Sequence, residues 1–273
     1  MPKVENDPTK RIAKPFVIIA GPRTGGTFLA HALSNHPDVF CDRGESLHQL
    51  SVWHRQNANN RISDVDLLFM LTHQEGYAAS GFRMLFPQAF RSDIWAEIER
   101  TQPKVIFLNR RNLLRQAASL LHNRMVRTCQ VSYYPLHSFI PVDVPGAIRV
   151  KPDVIVKTCT DLQYAYTSAR DKLRASSLDI LDIWYSDLVG YDGNQAAAVE
   201  VDAATHICAH IGVPVWYLTS NLTCIHQYPL KELFRNWGSI KIAVENSPFA
   251  HYLKHEEKWY KVGKHWYIGD NYV

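Results

Sequence analysis

The sequence predicts an α/β fold in which a central parallel sheet carries helices on both faces, giving three layers. Three observations lead there. Short apolar runs rich in β-branched and aromatic residues alternate with segments of helical period. At 273 residues, 46% of them hydrophobic, the chain suits one large domain with a sizeable core. And the first clear run passes through a glycine-bearing turn straight into a helical pattern, "VIIAGPRTGGTFLAHAL" at 17–33.

Taken in order, the clearest strands are Phe16–Ala20, Lys104–Leu108, Val154–Lys157 and Leu178–Tyr185, with Val39–Cys41 and Gly81–Leu85 weaker. Helical patterns lie at Gly26–Ser34, Ser92–Arg100, Leu113–Arg127, Ser168–Ala175 and Ala196–Ile211. The last is followed by Gly212 and then Pro214, a helix stop. Residues 129–150 hold three prolines and many aromatics without a sustained period, and read as a long loop or lid. Residues 1–14 read as a polar tail, and no internal repeat or linker breaks the chain. A single domain spanning 1–273 is expected.

Bulk properties exclude several classes. A net charge of +4 suits an anionic small ligand, whereas a nucleic-acid binder would carry denser basic runs. No stretch approaches the ~18 consecutive apolar residues of a membrane span. The polar N-terminus has no apolar signal segment, and five cysteines without a Cys-x-x-Cys pair read as reduced thiols, so a cytoplasmic protein is expected. Asn221-Leu222-Thr223 matches a glycosylation sequon and is read as chance in that setting. His206, Cys208 and His210 are metal-ligand types on one helix, but Cys208 points away from the histidines and no third ligand is evident. No metal is expected. A homodimer is compatible with the sequence.

The glycine turn carries the chemistry. Strand, turn and helix start aim free backbone N–H groups at one point, where the helix dipole adds positive potential. Gly25 and Gly26 admit close approach of an anion, Thr24 and Thr27 offer hydroxyls, and Arg23 offers fork-shaped donors. The fold is P-loop-like, since Gly21 and Gly26 have the ATPase spacing. Yet Thr27 stands where that loop has its lysine, and Phe28 follows. The turn suits a single phosphate better than a triphosphate.

"GPRTGGTFL" resembles the first motif of the sulfotransferases that use 3′-phosphoadenosine 5′-phosphosulfate (PAPS), Pro-Arg/Lys-Ser/Thr-Gly-Ser/Thr-Thr after a strand. Gly26 departs from it, because family members commonly carry Ser or Thr there. "VIFLNRRNLLRQAASLL" at 105–121 resembles the second motif in the bacterial branch similar to trehalose and nodulation-factor sulfotransferases. The matching residues are Arg110, Arg111, Asn112, Gln116, Ala117 and Ser119. Softer likenesses are "SGFRML" (80–85), with Arg83 for lysine, "ILDIWYSDLV" (180–189), "HIGVP", and "PLKELFRNWGSIKIAV" with its Asn-Trp pair.

The resemblance implies a PAPS-dependent enzyme that needs no metal and leaves 3′-phosphoadenosine 5′-phosphate (PAP) as product. It places Arg23, Thr24, Gly25, Gly26, Thr27 and Phe28 at the 5′-phosphate. Arg111 and Ser119 fall at the 3′-phosphate with Arg110 nearby, and Tyr185 counts among the cofactor-binding residues. Arg23 also assists the departing phosphate. Glu45, after the second strand, corresponds to the family's catalytic glutamate, with Asp42 its rival and His48 the reserve base. The acceptor would be a hydroxyl or amine of a small molecule or glycan. Aromatics at 133–139 and 259–267 are candidates to line its pocket, and Lys258, Lys261 and Lys264 to close over the cofactor. The rival readings are a nucleotide kinase or NTPase, which the missing lysine disfavours, and a non-catalytic nucleotide-binding protein.

Overall fold

The computed structural model describes residues 13–44, 63–129, 148–191, 197–222, 229–256, 259–262 and 265–268. The chain divides into two compact units, one from residues 1–109 and 168–222, the other from 110–167 and 223–273.

The first unit is built on five parallel strands, β1 (Lys14–Ala20), β2 (Val39–Cys41), β3 (Ala79–Leu85), β4 (Lys104–Asn109) and β5 (Ile180–Trp184), in the order β2-β3-β1-β4-β5. The central strand β1 is buried throughout Phe16–Ala20, as a strand covered on both faces must be. Its register sets Ala20 beside Leu85 of β3 and Leu108 of β4, so all three strands end at one level. On one face Phe16, Ile18, Ala20, Ile106, Leu108 and Ile183 pack against α1 (Gly26–Leu33) and α6 (Val201–Ile211), through Leu29, Leu33, Ile207 and Ile211. On the other side α2 (Asp64–Thr72) and the single turn Phe86–Ala89 pack on β3 and β1. Helix α3 (Ser92–Thr101) joins them through the Phe90–Trp95 ring pair. Lys172 covers both of those rings, at 5.2 and 4.8 Å. This is the predicted α/β sheet with helices on both faces.

A small antiparallel sheet, β6 (Val189–Tyr191), β7 (Ala197–Val199) and β8 (Thr219–Ser220), completes this unit. Helix α6 therefore starts at Val201 and not at Ala196: pairing of Ala197–Val199 with two neighbours outweighs alanine's helical preference. Its predicted stop is present. Gly212 is left-handed (φ 75°), and Val213 N donates to Cys208 O at 2.9 Å.

The expected strand Val154–Lys157 is not one. It lies in the long helix α5 (Pro152–Arg174). Its β-branched triplet reads as a strand locally, but Pro152 and Asp153 open a helix, and Ile155, Cys159, Leu162, Tyr166, Ala169 and Leu173 form one buried stripe at helical spacing. The predicted helix Ser168–Ala175 is the end of the same element.

In the second unit, α4 (Leu113–Cys129) follows β4 by three residues and buries Leu114, Ala117, Ala118 and Leu121. This unit also holds the part of α5 up to Thr167, α7 (Trp237–Glu245), short helical turns at Leu230–Leu233, Ala250–Tyr252 and Leu253–Glu256, and the antiparallel pair β9 (Trp259–Val262) and β10 (His265–Ile268). Ile148 bridges Phe234, and Asn236 brackets Val150 by donating to its carbonyl (2.7 Å) and accepting from its N–H (3.2 Å). The asparagine of the Asn-Trp pair is thus a backbone clamp. Most of the expected loop, residues 130–147, lies outside the described residues. Among the described residues no helix is long and apolar enough to cross a membrane.

Candidate functional site

The glycine turn begins where β1 ends. The Thr24 hydroxyl, fully buried, donates to Gly21 O at 2.8 Å and closes the turn on itself, so its hydrogen is directed at the backbone. Arg23 adopts a left-handed conformation (φ 63°), unusual for a residue with a Cβ, and Gly25 is left-handed too (φ 81°). Holding Arg23 there costs on the order of 1–3 kcal/mol, a strain that recurs at ligand-binding turns. Gly25 O accepts the first helical bond, from Leu29 N at 2.9 Å. The N–H groups of Gly26, Thr27 and Phe28 thus belong to the first turn of α1, which has no intrahelical acceptors for them.

Two side chains enclose this turn from within the same unit. Tyr185, opening the single turn Tyr185–Leu188 after β5, lies against Gly25: a Cβ there would meet its ring at 2.7 and 2.8 Å. Arg83, on β3 and only 5% exposed, lays its stem against Gly26. Arg83 entered the sequence reading only as a soft motif match. Its signal is a single charged residue in a strand otherwise made of apolar and small residues.

The carboxyl edge is braced at β4 and β5. The buried Asn109 donates to Asp182, which also faces Arg170 at 3.6 Å, and the Arg170 guanidinium lies 5.5 Å from the centre of the Trp184 ring. None of these residues stood out in the sequence, because the cluster joins positions remote along the chain.

Strand β2 ends low. Cys41 pairs with Gly81, which is level with Phe16 and not with Ala20. Beyond it Asp42 N donates to Gly81 O, and the Asp42 carboxylate accepts from Gly44 N at 3.1 Å, turning the chain. Arg43 reaches back to Ser34 Oγ and Asn35 Oδ1. Glu45 and His48 come next and lie outside the described residues.

In the second unit the Arg-Arg-Asn motif precedes α4. Asn112 caps that helix, its Oδ1 accepting from Arg115 N at 2.9 Å, and Gln116 accepts from the Tyr166 hydroxyl at 3.1 Å, tying α4 to α5. Arg110 is half-buried, Arg111 exposed and Ser119 buried. Part of the motif thus shapes the helix. Of the pocket and closing residues, 133–139, Lys258 and Lys264 lie outside the described residues, and Lys261 falls in β9.

The metal-type cluster separates. Cys208 is buried and His206 exposed, while His210 bonds Val105 O at 3.1 Å and sits 3.7 Å from Asp179. Burial lowers the His210 pKa, partly opposed by Asp179. The buried Cys159 thiol is pushed up to about 12, far from a reactive thiolate. Among the described residues no group of His, Cys, Asp or Glu could hold a metal ion.

A sulfotransferase from Alicyclobacillus acidocaldarius superposes on this chain with a TM-score of 0.50 at 14% sequence identity, covering 88% of this chain and 98% of that one. The chain shares that sulfotransferase's fold. A sulfotransferase domain from the curacin biosynthetic pathway is a looser likeness, with a TM-score of 0.41 at 13% identity over 78% of this chain and 86% of that one. No protein-family model and no curated protein matches the sequence. In this chain the glycine turn follows the carboxyl end of the central strand, but a fold does not name a reaction, and the chemistry rests on the residues.

Proposed function

We propose that this protein is a PAPS-dependent sulfotransferase acting on a hydroxyl or amine of a small molecule or glycan. The observation that carries the reading is the strained turn: Arg23 and Gly25, both left-handed, before a helix start that has no lysine. Such a turn fits one phosphate, since the N–H groups of Gly26, Thr27 and Phe28 in the first turn of α1 have no intrahelical acceptors. The donor supplies an activated sulfuryl group whose S–O bond to the 5′-phosphate breaks as the acceptor's bond to sulfur forms.

The chain's own residues divide the work. Arg23, the Thr27 hydroxyl and the first N–H groups of α1, including that of Phe28, hold the 5′-phosphate and stabilise the charge it gains on departure. The Thr24 hydroxyl shapes the turn, and Tyr185, packed against Gly25, lines the donor site. Arg111 and Ser119, with Arg110 beside them, hold the 3′-phosphate. Glu45 takes the acceptor's proton, with His48 in reserve. None of these steps calls for a metal.

Calorimetry with adenosine 3′,5′-bisphosphate in the absence of magnesium tests the reading. Binding is the expected result. Tight, magnesium-dependent binding of ATP instead would make the protein a kinase or NTPase, and binding without any transfer from PAPS would leave a nucleotide-binding protein.

A further inference from the structure

A cavity of about 400 Å³ opens beside β2, the outer strand of the five-stranded sheet, at the end of α1 away from the glycine turn. Strand register sets the two apart. Val39 is level with Lys14 at the start of β1, and Cys41 with Phe16, whereas the turn follows Ala20 at the end of that strand. At ~3.3 Å per residue this leaves on the order of 13 Å or more between them along the strand direction. The cavity's residues all belong to the first unit, and its volume suits a small organic molecule.

Its walls are held in place by the fold. Asn35 Nδ2 donates to Thr219 O at 2.8 Å. His36 is 2% exposed and accepts from Asp38 N through Nδ1 at 3.0 Å. Its Nε2 therefore carries the hydrogen and donates to Pro214 O at 2.9 Å, while Trp216 lies against the ring at 5.8 Å. Phe40 of β2 and Tyr77, just before β3, are both half-buried with ring centres 5.8 Å apart, and they supply aromatic surface.

Arg43 supplies the charge. Its Nε donates to Ser34 Oγ at 2.6 Å and its Nη2 to Asn35 Oδ1 at 3.3 Å. Both acceptors are neutral, and they occupy the side edge of the guanidinium. The end formed by Nη1 and Nη2 stays available for the two oxygens of a carboxylate. Among the described residues no carboxylate pairs with Arg43. Asp38 and Asp42 flank the site in sequence but do not line the cavity, and Asp42 accepts from Gly44 N. The positive charge is felt inside the unit: burial first, and Arg43 after it, hold the His31 pKa below its ordinary value.

An oriented guanidinium without an acidic partner, set beside two aromatic rings, matches a negative charge carried on a flat ring. We propose that this cavity binds a small aromatic carboxylate, at a site separate from the glycine turn. Arg43 holds the carboxylate, and Phe40 and Tyr77 hold the ring.

Ligand-observed NMR titration with benzoate tests the site. Saturable binding is expected, with acetate, which lacks the ring, and benzyl alcohol, which lacks the charge, about tenfold or more weaker. Arg43→Met, which keeps the stem, should weaken benzoate about tenfold or more, the loss of one charge-assisted contact. Tyr77→Ala should weaken it severalfold and Tyr77→Phe should not. Saturating adenosine 3′,5′-bisphosphate should leave benzoate affinity unchanged. No saturable binding, unchanged affinity in Arg43→Met, or equal binding of acetate or benzyl alcohol overturns the proposal. Displacement of benzoate by the bisphosphate would put it at the glycine turn and overturn the separate site. If the bisphosphate itself does not bind, the sulfotransferase reading fails while benzoate binding is still decided by the Arg43 and Tyr77 variants. Circular dichroism of each variant separates loss of binding from loss of fold.

Discussion

The Tyr185 ring closes on Gly25 so tightly that a Cβ at residue 25 would come within 2.7 Å of it. The two residues are 160 positions apart in sequence, and β5 delivers the ring to the turn that follows β1. Gly25 is thus constrained twice, by its positive φ and by its neighbour. Gly25→Ala is expected to destabilise the protein by roughly 1–3 kcal/mol. It should also weaken adenosine 3′,5′-bisphosphate binding, because either the backbone or Tyr185 must shift. Denaturant unfolding and calorimetry check both effects. Tyr185→Ala should recover part of the steric loss but not the conformational one.

Arg111→Ala is expected to reduce affinity for adenosine 3′,5′-bisphosphate about tenfold or more, the scale of one charge-assisted hydrogen bond. Adenosine 5′-phosphate should bind this variant and the unaltered protein alike. Paired titrations read the difference. Equal losses for both ligands would remove Arg111 from the 3′-phosphate.

Glu45→Gln should keep bisphosphate affinity and lose turnover by about 10²–10⁴-fold, the usual share of a general base. Labelled PAPS incubated with a panel of hydroxyl and amine acceptors measures it. If turnover survives in Glu45→Gln and falls in His48→Gln, the histidine is the base.

His210 makes stability depend on acid. Burial holds its folded pKa below the ordinary value of 6.5, so the folded state prefers the neutral ring. As pH falls through 6.5 the unfolded chain takes up the proton first, and stability drops until the folded pKa is reached; above 6.5 this contribution is flat. His210→Gln, which keeps a donor for Val105 O, should therefore lose less stability between neutral and mildly acidic pH than the unaltered protein. Urea unfolding at several pH values tests this, and identical pH slopes would contradict it.

Much of this molecule was legible in advance, for identifiable reasons. Strands β1 and β4 are continuous apolar runs bounded by turn residues, and α1, α3 and α4 follow periodic patterns within a residue or two of their ends. The glycine turn was readable because a strand, a turn and a helix start are contiguous in the chain. Val154–Lys157 misled because β-branched residues are locally ambiguous, and only the 23-residue reach of α5 shows the helical stripe they join. Ala197–Val199 misled in the opposite direction, since their partners in β6 and β8 decide their state.

Local sequence settled the parallel α/β class, strands β1 and β4 and the place of the glycine turn, because each depends on residues close together along the chain. Tertiary structure alone decided what surrounds that turn. It brought Tyr185 onto Gly25 and Arg83 beneath Gly26, directed the Thr24 hydroxyl to Gly21 and assigned Asn112 and Gln116 to the helix. It also recast Gly26 from a missing hydroxyl to a space that is filled. Such contacts follow from strand register and close packing between distant segments, and no local pattern encodes either.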